Sequence, residues 1–209
     1  MHGAGEPPDY LLRALPHAHS LAWYRPGQTV RAADRMQNYS YTLTARAGRD
    51  FAADFAPDLT PAQILRAGVF EGRYLNDCAG ELPREWFAAA LRGGRLRAAA
   101  DETVNEFGVK SRLSLGEWRR RGWLPQHELD RDVRGWFQWY CRYWLGRRIP
   151  AVDALQIARW RSFARHRGQI LASYRRLGPR ARPQSRAEKR AHRPRQRQAL
   201  LQWAYDPYV

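Results

Sequence analysis

The residues best placed to do chemistry in this sequence are the arginines of its C-terminal third. From Arg159 to Arg197 inclusive the chain carries fourteen Lys+Arg and a single acid, Glu188. A guanidinium is a planar fork that matches the oxygens of a phosphate, and a like-charged stretch needs either good solvation or an anionic partner. The local excess is larger than solubility alone requires. The residues expected to meet a polyanion are Arg159, Arg167, Arg175, Arg176, Arg180, Arg182, Arg186, Arg190 and Arg193. Contacts to phosphate fix position and do not read bases. The sequence has no RNP aromatic motif, no GxxG clamp in a KH setting and no C2H2 spacing. The expected partner is therefore a nucleic acid or another phosphate-rich ligand, held without base readout by these arginines.

A second constellation supports a different class of function. Gln138 and Arg142 lie four residues apart, on one face of any helix through them. The polar run Glu71–Cys78 contains Asn76 and Asp77, residues that favour turns through local backbone bonds. If these met His166 in a cleft, then Asn76, Asp77, Gln138, Arg142 and His166 would line the pocket of a small enzyme, with Cys78 a possible nucleophile. The simpler reading is that Arg142 holds a core carboxylate, Asp77 being the first candidate, because a buried guanidinium cannot discharge itself. His17 and His19 fall on one side of an extended chain, but no further ligand clusters with them. Cys78 and Cys141 form no CxxC pair, so no disulfide framework, metal site or cofactor is expected.

The elements that must position these groups are mostly helical. Thr60-Pro61-Ala62-Gln63 offers an N-cap, a proline at the first helical position and a reciprocal Gln, with Gly68 as the stop. A second helix is expected over Arg84–Leu91, closed by Gly93-Gly94. A third follows the Ser114/Glu117 capping box and stops near Gly122. Asp130 or Asp132 is expected to cap a fourth, Val133–Leu145, whose residues Trp136–Trp144 are apolar almost all round and so belong in the core. A fifth and long helix opens at Pro150 or Asp153 and runs toward Leu177, where Gly178-Pro179 breaks it. Ser185 and Glu188 form another capping box, and Arg195–Tyr205 reads as a terminal helix. Strand signals are confined to Gln28–Ala45. There Tyr39, Tyr41 and Leu43 alternate with polar residues, and Thr29–Ala33 can pair back through a turn at Asp34–Asn38. A short helix at Tyr10–Leu15 is the one element expected in a Pro- and Gly-rich start. The expected fold is mostly α: a single helical domain with a small N-terminal β-ribbon. Residues 1–27 read as an irregular lead-in, 28–177 as the helical core, and 178–209 as a basic segment with a C-terminal helix packing on it.

Composition bounds the remaining classes. With 209 residues, 44% apolar and nine Trp, the chain can bury a core without disulfides. Its net charge of +16 is uneven, because residues 1–100 carry 12 basic and 10 acidic side chains. Lys110 and Lys189 are the only lysines. No apolar run is long enough for a transmembrane helix, and no signal-peptide pattern opens the chain. The expected location is therefore cytoplasmic, away from membranes.

The stretches Gly68–Cys78, Phe107–Val109, Arg134–Tyr143 with its GWFQWYCRY core, and Arg195–Asp206 resemble a widespread family of conserved hypothetical proteins of bacteria, fungi and plants. The resemblance runs from about residue 38 onward and implies no activity, cofactor or site residue. Function therefore rests on the residues themselves: polyanion binding first, the small enzyme second, and an interaction protein docking on a large assembly third.

Overall fold

The computed structural model describes residues 5–34, 38–111, 113–122 and 127–209. Two features of the local sequence set its helices. Thr60 and Ser185 each open a helix with a complete reciprocal box. The Thr60 Oγ1 accepts from the Gln63 amide and the Gln63 side chain answers, and Ser185 does the same with Glu188. They start α2 (Pro61–Ala67) and α7 (Arg186–Ala191). Earlier in the chain lies α1 (Asp9–Ala14), and between these come α3 (Arg84–Arg92), α4 (Leu115–Arg120), α5 (Trp136–Leu145) and α6 (Pro150–Ala181); α8 (Pro194–Gln202) follows. The fold is mostly α, as the sequence implies. The only strands among the described residues are β1 (Thr29–Arg31) and β2 (Ser40–Thr42), antiparallel with Val30 opposite Tyr41. The turn expected between them falls largely on residues 35–37, outside the described set. No helix of the described residues is long and apolar enough to cross a membrane.

α5 is the centre of the molecule. Nine of its ten residues are buried, Trp139 and Cys141 completely. Around it, α2 packs on α3, α8 packs on α6, and α5 itself touches α2 and α6. The aromatic rings interlock edge to face and in stacks. Phe55 meets Trp139, Tyr140, Tyr143 and Trp160, while Trp203 is sandwiched between Trp136 at 4.8 Å and Phe163 at 3.7 Å. The polar edges of these rings find partners. Trp139 Nε1 donates to Asp153 (2.8 Å), Trp136 Nε1 to the Gln156 carbonyl (3.2 Å) and the Tyr140 hydroxyl to the Leu59 carbonyl (2.7 Å). Leu11 and Tyr24 join the same core, so the N-terminal segment is packed in even where it is irregular.

Two ends of helices depart from expectation or depend on glycine. α5 is not capped by Asp130 or Asp132. It starts at Trp136 behind Gly135 (φ 85°), because both aspartates are buried and engaged elsewhere. At its other end Gly146 (φ 114°) lets the chain turn against Ala45, whose carbonyl oxygen a Cβ would approach to 2.1 Å. The Ser114 hydroxyl caps α4, but Glu117 does not complete a box and instead pairs with Arg120 and Arg121. Replacing Trp139 by Ala is expected to cost about 3–5 kcal/mol. Urea unfolding of Trp139→Ala measures this, and a midpoint equal to that of the parent would remove α5 from the core.

Candidate functional site

The α5 residue Arg142 is wholly buried, yet all five of its N–H groups are used. Nε and Nη2 take Glu81 in a bidentate grip (2.6 and 3.0 Å). Nη2 also reaches Asp34 (3.0 Å), and Nη1 reaches Asp132 (2.9 Å) and the Arg131 carbonyl (3.0 Å). The rings of Tyr39 and Tyr41 flank the cation at 5.2 and 5.7 Å. Burial alone would lower this guanidinium's pKa. The charges of Glu81 and Asp132 and the hydrogen bonds to Glu81 overcome it and leave the value well above ordinary. Arg147 shares Asp132 and also donates to the Tyr39 hydroxyl (2.8 Å). Burial, then the charge of Glu81, pushes the Tyr41 hydroxyl well up, and that hydroxyl donates to Glu81 (2.8 Å).

This geometry corrects the expected pairing and separates the residues of the enzyme reading. Asp77 does not meet Arg142; it is half-buried and pairs with Arg134, which also donates to the Tyr74 carbonyl. The physical reason is that Glu81, Asp34 and Asp132 already saturate the Arg142 donors. Gln138 does join the network, donating to Asp34 (2.8 Å) and accepting from the Arg134 amide (3.1 Å). Asn76, next to Asp77 in sequence, is buried but spends its amide on the carbonyls of Gly72 and Arg97. His166 lies on α6, where it contacts Gln169 and Phe163; no hydrogen bond or ion pair joins it to the other four. The Cys78 and Cys141 thiols are both pushed well up by burial, which holds them protonated and poorly nucleophilic. Asp34, Cys78 and Glu81 bring ligand atoms within 4.8 Å of one another, but the Arg142 guanidinium already sits on both carboxylates as their cation. His19 stacks on Trp23 at 3.9 Å.

The basic segment folds into two classes of arginine. Arg197 is buried and structural, donating to the carbonyls of His192 (2.8 Å) and Pro207 and to the Tyr174 hydroxyl. Arg159 is half-buried, its guanidinium 5.7 Å from the Trp118 ring and 5.9 Å from Trp203. Arg193 is half-buried with left-handed backbone (φ 54°) ahead of α8. By contrast Arg167, Arg175, Arg176, Arg180, Arg182, Arg186 and Arg190 are exposed. Arg186 alone of these seven is in ion-pair contact with a carboxylate of the described residues, Glu106, and it also lies over the Tyr208 ring. The one local acid, Glu188, accepts from the amides of Gln184 and Ser185 in its capping box, which holds its pKa below the ordinary range.

Gly178 supplies the shape of this surface. Its φ of 73° kinks α6, and Pro179 follows. The bend leaves a groove of about 510 Å³ lined by Tyr174, Arg175, Pro179, Arg182 and Gln184, with the Arg182 guanidinium 4.9 Å from the Tyr174 ring. Sequence reasoning found the arginines and the break. It did not find Glu81, Asp34, Asp132 or Arg147, because nothing in their spacing links them.

Comparison with family models, with curated proteins and with solved structures gives no match to this chain.

Replacing Arg142 by Leu removes the cation shared by three buried carboxylates, leaving Arg147 on Asp132, and the expected loss is about 3–5 kcal/mol. Asp77→Asn, at the less deeply buried pair with Arg134, should cost clearly less. Parallel urea titrations of the two variants check the order; the reverse ranking would show that Arg142 is not the central ion.

Proposed function

We propose that this protein binds nucleic acid, or another phosphate-rich polymer, through the arginines of α6, the kink and α7. The observation that carries the reading is the combination of seven exposed arginines with a single ion-paired member, Arg186. Several arginines elsewhere are neutralised: Arg46 with Asp50, Arg97 with Asp101, Arg134 with Asp77, and Arg142 with three acids. A surface whose cations far outnumber its carboxylates, and which folds into a groove at Gly178, suits an extended anion better than a scattered solvated charge does. The small-enzyme reading has less support, because among the described residues no hydrogen bond or ion pair joins His166 to Asn76, Asp77, Gln138 or Arg142. Arg159 and Arg193, both half-buried, contribute less than the exposed set.

Binding of this kind releases condensed counterions, so affinity should fall with salt by a log–log slope of about −0.9 per phosphate contact for duplex DNA and about −0.7 for single strands. Changing Arg175, Arg180, Arg182 and Arg190 together to Gln should weaken binding to all sequences alike and flatten the slope. Arg186 is left in place because it holds Glu106. Fluorescence anisotropy across a salt series is the measurement; unchanged binding by the variant would place the contact elsewhere, and no binding by the parent at low salt would overturn the reading.

The pH response follows from the same inventory. Burial, the first cause, lowers the pKa of both His166 and His192 from the ordinary 6.5. Both are therefore mostly neutral at pH 7. Affinity should be flat from pH 9 to 7 and rise only on acidification below the ordinary histidine range, as the two imidazoles gain protons and add positive charge. A decline in affinity on acidification would contradict this.

A further inference from the structure

A second groove opens beside the basic surface, and its chemistry differs from that of the kink. It measures about 400 Å³, within the roughly 300–1,000 Å³ of small-ligand sites. Its walls include Phe70, Trp118, Phe163 and Trp203, and its rim carries Arg165 and Arg195. Both arginines are exposed, and no carboxylate of the described residues is in ion-pair contact with either. The rim is held in place, since the Ser111 hydroxyl donates to the Arg195 carbonyl. Arg165 lies 5.7 Å from the Phe163 ring, so cation and aromatic face one another at the entrance. Gln202, 2% exposed, also belongs to the wall, and its Nε2 is buried with no hydrogen-bond partner. An unmet amide of that kind costs roughly 1–3 kcal/mol unless something supplies its acceptor.

We infer that this groove takes a nucleobase, with the attached phosphates held by Arg165 and Arg195. The inference rests on the polyanion reading and extends it to a preference for unpaired strands. Trp203 is covered on both faces by Trp136 and Phe163, so the ring surface offered to the π-face of a base is that of Trp118 and of the side of Phe163 turned away from Trp203; the Gln202 carboxamide offers hydrogen bonding to a base edge, and the rim is complementary to phosphate. A base inside a duplex is already stacked and paired, so only a single strand or a free nucleotide can enter. Continuity with the basic surface favours the strand: Phe163, Arg165 and His166 lie on α6, the same helix that carries Arg167, Arg175 and Arg176.

The test compares a mixed-sequence single-stranded 12-mer with an abasic 12-mer of equal length and charge, by anisotropy on the full chain at low salt. Stacking of one base on an aromatic ring gives roughly a fivefold to hundredfold gain, so the intact strand should bind at least fivefold tighter. Trp118→Ala, Gln202→Leu and the Arg165→Gln/Arg195→Gln pair should each narrow that ratio, with thermal melts confirming that the proteins are folded. Gln202→Leu keeps the buried shape should Trp118→Ala fail to fold. Displacement of the 12-mer by micromolar adenosine monophosphate would make the groove a nucleotide site; preference for the strand without such displacement would make it a strand site. Equal affinity for intact and abasic strands would overturn the base site and leave the polyanion reading intact. Binding of neither would overturn both.

Discussion

The fold is organised around one charge that cannot be neutralised. A guanidinium at the centre of an aromatic helix must bring its own anions with it, and Arg142 draws Glu81, Asp34 and Asp132 from three separate parts of the chain. Each acid ties down something further. Glu81 accepts from Tyr41 of β2 and from the Ala33 amide, which fixes the ribbon against α5. Asp132 holds Arg147 beyond the end of α5, and its own amide donates to Asp130, which in turn receives Gln156 from α6. Asp34 accepts from Gln138, whose other end braces the Arg134 amide. Losing the arginine would remove the one cation that joins all three acids to α5.

The same residue type does opposite work on the outside. Arg142, Arg147 and Arg197 are buried and bonded internally, Arg147 through its two terminal nitrogens only, and contribute nothing to a binding surface. Among the described residues, the exposed arginines from Arg167 to Arg190 have no such carboxylate acceptors apart from the Arg186 pair with Glu106, whereas Arg161, earlier on α6, pairs with Asp54. Net charge therefore overstates the basic surface where arginines are structural, and a count along the sequence cannot tell the two classes apart. Burial and hydrogen bonding can, and they concentrate the free cations around the Gly178 kink and along the exposed face of α6.

What was legible in the sequence was what is local. The Thr60 and Ser185 capping boxes, the break at Gly178-Pro179, the pairing of the two strands and the burial of Trp136–Trp144 all follow from residues within a few positions of one another. The partners of Arg142 did not, since Asp34 lies 108 and Glu81 61 residues away, and Asp132, although near, read as a helix cap. Asp77 was the wrong choice because a dense polar turn says that a charge needs a partner, not which one; Arg134 is its partner. The aromatic groove was equally hidden. It is assembled from a loop residue, Phe70, and from α4, α6 and α8, and His166 is its only member that the sequence singled out as a pocket residue.

The division between buried and free arginines is the centre of this account, and arginine side-chain Nε–Hε NMR tests it directly. On titration with a single-stranded oligonucleotide at low salt, the signals of Arg175, Arg180, Arg182 and Arg190 should shift progressively. Those of Arg142, Arg147 and Arg197 should stay in place and remain protected from solvent exchange. Shifts confined to the second group, or none in the first under conditions where the strand is bound, would contradict the account.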